Sequence, residues 1–167
     1  MKIKFLGTGT SQGVPVIACN CEVCSSSDAR DDRLRCSILV SKGNTNVVVD
    51  TGPDFRQQAL RCRLDRLTAA LITHEHNDHI IGLDDIRPFN FMTRQELNVY
   101  ARPKVGAEIR KRFAYIFSKK PYPGAPKVNL KSFENNRSFK VGDLQVMPIE
   151  VMHGKMPVTG FIFDRVA

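Results

Sequence analysis

The sequence has no apolar run long enough to cross a membrane. The longest apolar runs, such as residues 69–72, fall far short of the roughly 20 residues that a spanning helix needs. The first residues, MKIKFLG, also lack the apolar core of a signal peptide. We therefore expect a cytoplasmic protein without a membrane partner.

Internal repeats and low-complexity tracts are also missing from the 167 residues. Hydrophobic residues make up 42% and charged residues 25%, a balance that excludes a disordered tail or a fibrous repeat. Because single cores commonly take roughly 100 to 200 residues, the length predicts one domain over residues 1–167.

Acidic residues are in deficit. The chain has 17 Asp and Glu against 25 Lys and Arg, a formal net charge of +8. This charge favours an anionic ligand, either a phosphate-bearing small molecule or nucleic acid. A solvated basic helix surface explains it equally well, because seven basic residues lie on or beside one candidate helix: Arg102, Lys104, Arg110, Lys111, Arg112, Lys119 and Lys120.

The five cysteines are an odd number, and three of them lie close together as Cys19, Cys21 and Cys24. In a chain without a secretion signal, such a cluster indicates a metal site rather than disulfides. The cluster lies in a loop over residues 8–35, which bound metal would fix in place. We expect Cys36 and Cys62, which have apolar or helical neighbours, to be small buried residues.

Hydrophobic periodicity predicts an α/β domain, because strands and helices alternate along much of the chain. The predicted helices cover residues 55–64, 84–91 and 103–117. The predicted strands cover residues 3–7, 36–41, 46–50, 67–73, 97–101, 128–133, 138–141, 144–151 and 158–164.

The strongest chemical signal is the segment THEHNDH at residues 73–79, where a predicted strand ends. Side chains two residues apart at a strand end point to the same side, so His74 and His76 can face one ion. Asp78 and His79 lie beyond the turn and can reach a second ion. Imidazole and carboxylate ligands suit Zn²⁺, Mn²⁺ or iron. A polar loop with incidental histidines is the weaker explanation, because three of the four histidines lie within this segment.

Two more residues are candidates for the same site. His153 follows a predicted strand and could complete a set of three imidazoles with His74 and His76, leaving an open position for catalysis. Asp50 also ends an apolar strand, where it could accept a hydrogen bond that orients a liganding histidine. A turn position explains Asp50 almost equally well.

These residues, with FLGTGT at residues 5–10 and DTG at residues 50–52, resemble the metallo-β-lactamase superfamily of metallohydrolases. The resemblance implies an αββα sandwich. GTGTSQGVP at residues 7–15, leading into the three cysteines, resembles the branch that contains the cyclic phosphodiesterase of phosphonate breakdown. Neither a Ser-His pair nor a P-loop motif points to another chemistry.

The resemblance implies two active-site ions, zinc or manganese, and one structural zinc. Its ligand sets are His74, His76 and His153 for one ion, Asp78 and His79 for the other, and Cys19, Cys21 and Cys24 for the structural zinc. The implied reaction is hydrolysis of a small phosphodiester by water that the ions acidify, with Asp78 as the catalytic residue. Nucleic acid stays open as a ligand, and a homodimer as an assembly.

The sequence departs from the family pattern at its carboxyl end. The superfamily bridges its two ions with an Asp beyond the last predicted strand and adds a final His, and neither is present. We interpret Asp164 as a turn residue rather than as the bridge. The resemblance therefore implies roughly the first two thirds of a family domain, incomplete at the C-terminus.

Two other functions remain open at this stage. A tRNA 3′-end processing nuclease of the same superfamily would suit the positive charge, although the cysteine cluster argues against it. A zinc-stabilised fragment or binding module without catalysis is the alternative from a different class, since the second ion would have only Asp78 and His79.

Overall fold

The computed structural model describes residues 1–164, which form two β-sheets and a layer of helices. The larger sheet holds, in spatial order, β1 (Lys2–Gly7), β2 (Ser37–Lys42), β3 (Thr45–Val49), β4 (Ala69–Leu71), β5 (Leu97–Ala101) and β6 (Val128–Ser132). The smaller sheet holds β7 (Phe139–Val141), β8 (Leu144–His153) and β9 (Met156–Phe163). The helices are α1 (Phe55–Cys62), α2 (Asn77–Ile80), α3 (Arg87–Thr93) and α4 (Pro103–Arg112), with 3₁₀ turns at Ala29–Asp31 and Ile81–Ile86. Among them we find no helix with the length and apolar character needed to span a membrane.

Parallel pairing in the larger sheet brings several strand ends together. Strands β3 to β6 are parallel, whereas β1, β2 and β3 pair in antiparallel fashion. Ligands of such α/β sheets bind beyond the carboxyl ends of the parallel strands. Asp50, Thr73 and Arg102 all lie just beyond such ends, so the fold gathers them at one edge.

The central strand β4 is buried on both faces, so its residues belong alternately to two hydrophobic cores. Ala70 faces the core that the helices cover, to which α1 contributes Phe55 and α4 contributes Ile109. Leu71 faces the core that the smaller sheet covers, with Leu144 of β8. The observed layers are helix, sheet and sheet, which are three of the four layers of the expected αββα sandwich.

The outer helix layer of that sandwich does not occur within residues 1–164. Each of the four α-helices contributes to the core on the helix face of the larger sheet. The outer face of the smaller sheet is therefore without an α-helix in this part of the chain. The expected fold class is present and incomplete in its last layer.

Helix boundaries were the weakest sequence predictions. The helix predicted at 84–91 is shifted to Arg87–Thr93, with Pro88 in its first turn, and the 3₁₀ turn Ile81–Ile86 precedes it. The helix predicted at 103–117 ends at Arg112, because Phe113 leaves the helical conformation. Phe113 and Ile116 nevertheless stay buried, so the apolar pattern continued into turns that pack on the same core.

The long loop before β2 is attached to the start of α1. The Arg35 backbone N–H donates to Asp54 at 2.8 Å, and its guanidinium forms an ion pair with the same carboxylate at 2.9 Å. The prediction that Cys36 and Cys62 are buried is wrong for Cys36, which is exposed, and Cys62 is only partly buried. Cys36 precedes β2 at the edge where the strand ends gather, so it faces an open cavity instead of a core.

Candidate metal centre

Three imidazoles converge beyond the ends of β4 and β8. His74 follows β4 and is 4% exposed, His76 precedes the first turn of α2, and His153 is the last residue of β8. Their potential ligand nitrogens all lie within 4.8 Å of one another. Nitrogen ligands of one zinc ion, with bonds of about 2.1 Å, are at most about 4.2 Å apart, so the cluster is close to the geometry of a metal site.

Asp50 holds the site together. Its Oδ1 accepts the backbone N–H of Thr73 at 2.8 Å, while its Oδ2 lies 2.8 Å from the Thr73 hydroxyl and 2.7 Å from His79 Nδ1. Asp50 is 5% exposed and has a φ of +64°, a conformation in which Asp and Asn are enriched among non-glycine residues. The carboxylate therefore joins the ends of β3 and β4 to the His79 ring.

The same hydrogen bonds fix which ring nitrogens carry protons. An ionised Asp50 can only accept, so the Thr73 hydroxyl must donate to it. That hydroxyl then accepts from His74 Nδ1 at 2.9 Å, and His79 Nδ1 also donates to Asp50. His74 is thus the Nδ1–H tautomer, which leaves the lone pair of Nε2 available.

The free nitrogen of His74 fits a metal ligand. His74 Nε2 is buried, yet it has no hydrogen-bond partner among residues 1–164. Burial, aided by the charge of His79, lowers the pKa of His74 to about 4, so the ring is neutral at pH 7. A buried polar atom without a partner is costly, and a metal ion would satisfy it.

Asp78 and His79 form a second pair beside the three imidazoles. His79 Nε2 lies 3.2 Å from Asp78 Oδ2, and the rings of His79 and His74 are 4.0 Å apart. Burial lowers the pKa of His79, but the bond and charge of Asp50, with the charge of Asp78, outweigh burial and leave that pKa raised. Two carboxylates thus favour positive charge here, either a proton or a metal ion.

Close backbone packing holds this pair against Asp50. The Thr51 N–H donates to the His79 carbonyl at 2.8 Å, and the Gly82 N–H donates to the Thr51 carbonyl at 2.9 Å. A Cβ on Gly52 would lie 2.1 Å from the Asp78 carbonyl oxygen, so only glycine fits there. The DTG segment at residues 50–52 therefore serves as the backbone support of the site.

An open cavity of about 440 Å³ adjoins the imidazoles. Its polar side contains His74, His79 and His153, together with Asp50. Its apolar wall and rim are contributed by Cys36, Ile38, Val49, Met152 and Val158. Three of the four histidines of the site therefore line a space open to a small molecule.

The three cysteines of the long loop also converge. The sulfur atoms of Cys19, Cys21 and Cys24 lie within 4.8 Å of one another. The backbone N–H of Val16 points to Cys24 Sγ at 3.3 Å, and that of Cys24 points to Cys21 Sγ at 3.5 Å. The hydrogen bond from Cys24, aided by Cys19, lowers the pKa of Cys21 to about 7, which favours the thiolate that zinc binds.

Asp164 lies away from both clusters. It forms an ion pair with Lys42 at 2.7 Å and exchanges hydrogen bonds with Gln145, at the end of the β8–β9 hairpin opposite to His153. The interpretation of Asp164 as a turn residue agrees with this position. The part that the Thr73 hydroxyl plays between Asp50 and His74 was not predicted from the sequence. The one signal in the sequence was the position of Thr73 directly before His74.

Comparison with known proteins places the chain among metallohydrolase domains. Residues 45–167 match the family model described as "Beta-lactamase superfamily domain". A crystal structure of a diphosphatase from the PhnP family superposes with a TM-score of 0.86 and 38% identity, covering 96% of this chain and 61% of that chain. Human tRNase Z, short form, gives a TM-score of 0.62 at 19% identity over 98% of this chain and 64% of that chain, which supports the fold alone.

An octanoyltransferase of Porphyromonas gingivalis (strain ATCC BAA-308 / W83) is 44% identical over 168 residues. The match covers 100% of this chain and 34% of that relative. The chain thus spans about a third of this curated relative and under two thirds of the diphosphatase. About two thirds of the octanoyltransferase lie outside the match. Its name therefore does not indicate that the part shared with this chain transfers acyl groups.

The first prediction concerns the cysteine cluster. Changing Cys21 to Ser (Cys21→Ser) removes a thiolate from the predicted structural zinc, so we expect the purified protein to lose about one equivalent of zinc and to melt at a lower temperature. Metal analysis and calorimetry measure both effects. Cys62→Ser, outside the cluster, is the matched control, and unchanged zinc content in Cys21→Ser would refute the assignment.

The second prediction concerns Asp50. Asp50→Asn keeps the size and tolerates the positive φ, but its amide N–H₂ is only a donor, so either the Thr73 N–H or the pair formed by the Thr73 hydroxyl and His79 Nδ1 loses its acceptor. We expect affinity for Zn²⁺ at the histidine cluster to fall by roughly 10- to 100-fold, measured by titration calorimetry. Asp143→Asn is the control, since Asp143 bonds the β2–β3 turn instead. Equal affinity in Asp50→Asn and wild type would contradict this role.

Proposed function

The chain belongs to the metallo-β-lactamase superfamily, and from that membership we propose that it forms the metal-binding part of a hydrolase that cleaves phosphodiesters. The observation that carries the proposal is the convergence of His74, His76 and His153, together with a buried Nε2 of His74 that has no hydrogen-bond partner within residues 1–164. Three nitrogen ligands with an open position are typical of catalytic rather than structural zinc sites.

Each residue of the site has a distinct part in this proposal. His74, His76 and His153 hold one divalent ion, zinc or manganese, and Asp78 and His79 contribute to a second. Bound ions of this kind acidify water and neutralise charge on phosphoryl oxygens. Asp78 adds the negative charge that attracts the second ion, and Asp50 keeps His79 oriented through its Nδ1.

A phosphodiester is favoured as substrate by three observations. The related crystal structure at 38% identity is described as a diphosphatase of the PhnP family, a name that supports hydrolysis at a phosphoryl group. The cysteine cluster that the sequence shares with the phosphodiesterase branch is assembled in the fold. The net charge of +8 suits an anionic substrate.

A tRNA 3′-end processing nuclease is the second candidate. The observation in its favour is the basic surface of α4, where Lys104 and Arg112 both contact Glu75 between two of the histidines. Phosphate contacts from such residues would make binding strongly dependent on salt. Cleavage of precursor tRNA at a rate above that of small diesters would select this candidate.

A binding module without catalysis is the alternative from another class. Such a module would have the same metal site as the hydrolase but would not turn over a substrate. The reason to consider it is that a second ion would have only Asp78 and His79 among the proposed ligands of this chain. Metal binding without hydrolysis of any phosphodiester would favour it. The cytoplasmic location and a homodimeric assembly remain proposals as well.

The third prediction tests the reaction. With added Mn²⁺ or Zn²⁺ we expect the full-length protein to hydrolyse a bis-aryl phosphate and a 2′,3′-cyclic nucleotide, with little turnover of an octanoyl thioester or a β-lactam. Asp78→Ala should lose roughly 100-fold or more in rate, because charge developing at the phosphoryl group loses part of its stabilisation. Steady-state assays on all four substrates measure this.

Asp85→Ala is the matched control for Asp78→Ala, since it removes the same charge from the neighbouring 3₁₀ turn. Turnover of the thioester or the lactam but of neither phosphodiester would refute the substrate class. Full phosphodiesterase activity in Asp78→Ala would refute the role of the second ion.

A further inference from the structure

Helix α4 contacts the loop that carries two of the histidines through its last residue, Arg112. The guanidinium donates to the backbone carbonyl of Glu75, which lies between His74 and His76, and to Asn77 Oδ1 at 3.1 Å. Glu108, one turn earlier, lies 3.5 Å from the same guanidinium and orients it. Arg112 thus bonds the residues on both sides of His76.

The other end of α4 contacts the hairpin that carries the third histidine. Arg102, which caps α4, donates to the Pro157 carbonyl at 2.5 Å and lies 3.6 Å from Glu150. Pro157 and Glu150 belong to β9 and β8, on either side of the hairpin turn that follows His153. The Arg102 side chain is only 19% exposed, whereas its partner Glu150 is 54% exposed, so the guanidinium is held close to the fold at a water-accessible edge.

We propose that Arg102 and Arg112 are positioning residues that set the spacing of the three imidazoles from opposite ends of one helix. The inference rests on the proposed metal site and adds to it the pair of residues that holds its two separate parts together. Within residues 1–164, the hydrogen bonds and ion pairs of the two arginines involve none of the imidazoles. Each acts on the backbone beside them.

The need for such support follows from the hairpin itself. His153 stands at its exposed end, where Val151 is 40% and Met152 63% exposed, so the core provides little restraint. One backbone hydrogen bond, from Thr159 to the Thr73 carbonyl at 3.1 Å, connects β9 to the end of β4. Three ligands bind an ion tightly only if their separation is already correct, so a loose hairpin would weaken the site.

Arginine suits this task for a geometric reason. Its planar guanidinium presents five donors, so one side chain can bond two acceptors at fixed directions. Arg112 uses one Nη1 for both Glu75 and Asn77, and Arg102 reaches across both strands of the hairpin. A lysine would provide one mobile ammonium in place of this fixed fork.

The fourth prediction tests the proposal by Co²⁺ titration of the metal-free protein. Thiolate ligands give an intense near-ultraviolet band that imidazoles lack, so the cysteine and histidine clusters are measured separately. We expect Arg102→Ala and Arg112→Ala to weaken Co²⁺ binding at the histidines by roughly 10- to 100-fold, and to leave the cysteine band unchanged. Arg110→Ala, which removes the same charge from α4 above the Phe117 ring, should bind like the wild type.

A double-mutant cycle separates positioning from general stability. Because Arg112 bonds Asn77, the loss of affinity in Arg112→Ala/Asn77→Ala should be smaller than the product of the two single losses. Melting temperatures of the metal-free variants should stay close to wild type.

Three outcomes would overturn the inference. The first is wild-type Co²⁺ affinity in both arginine variants. The second is a lower melting temperature together with loss of Co²⁺ from both clusters, because that result would indicate a purely structural role for the arginines. Absence of histidine-bound Co²⁺ in the wild type would overturn the proposed metal site and this inference together. Activity is not needed for any of these measurements, so a failed phosphodiesterase assay leaves their interpretation unaffected.

Discussion

The Asp50 carboxylate is the interaction on which the rest of the site depends. It joins the end of β3 to the end of β4 through Thr73 and orients His79 directly. Through the Thr73 hydroxyl it also decides which nitrogen of His74 carries the proton. One buried acceptor thereby sets the tautomers of two imidazoles, and a ligand nitrogen must be unprotonated to bind metal.

Parallel strand pairing explains why these residues meet. The ends of β3, β4 and β5 lie at one edge of the larger sheet, and β8 brings His153 to the same place from the smaller sheet. The two sheets pack through Leu71, Leu144 and their neighbours, so a hydrophobic core fixes how the sheets face each other, although it does not reach the exposed end of the hairpin at His153. Helix α4 then supports both parts through Arg102 and Arg112.

Much of this could be predicted from the sequence, because the local signals were strong. Alternating His74 and His76 at a strand end require no knowledge of the fold, and the apolar runs fixed the order of strands and helices. The exposure of Cys36 and the contacts of Arg112 could not be predicted, since they depend on which edges meet in space. Helix ends were misplaced because apolar residues such as Phe113 pack equally well in turns. The roles of the metal ligands themselves stay predictions.

Zinc binding at the three imidazoles is the central claim, and anomalous diffraction from zinc-loaded crystals tests it most directly. Maps calculated at the zinc absorption edge should show a peak within bonding distance of nitrogens of His74, His76 and His153, separate from a peak among the three cysteines. Zinc among the cysteines with no peak at the histidines, or a peak bonded to fewer than all three of these imidazoles, would contradict the account.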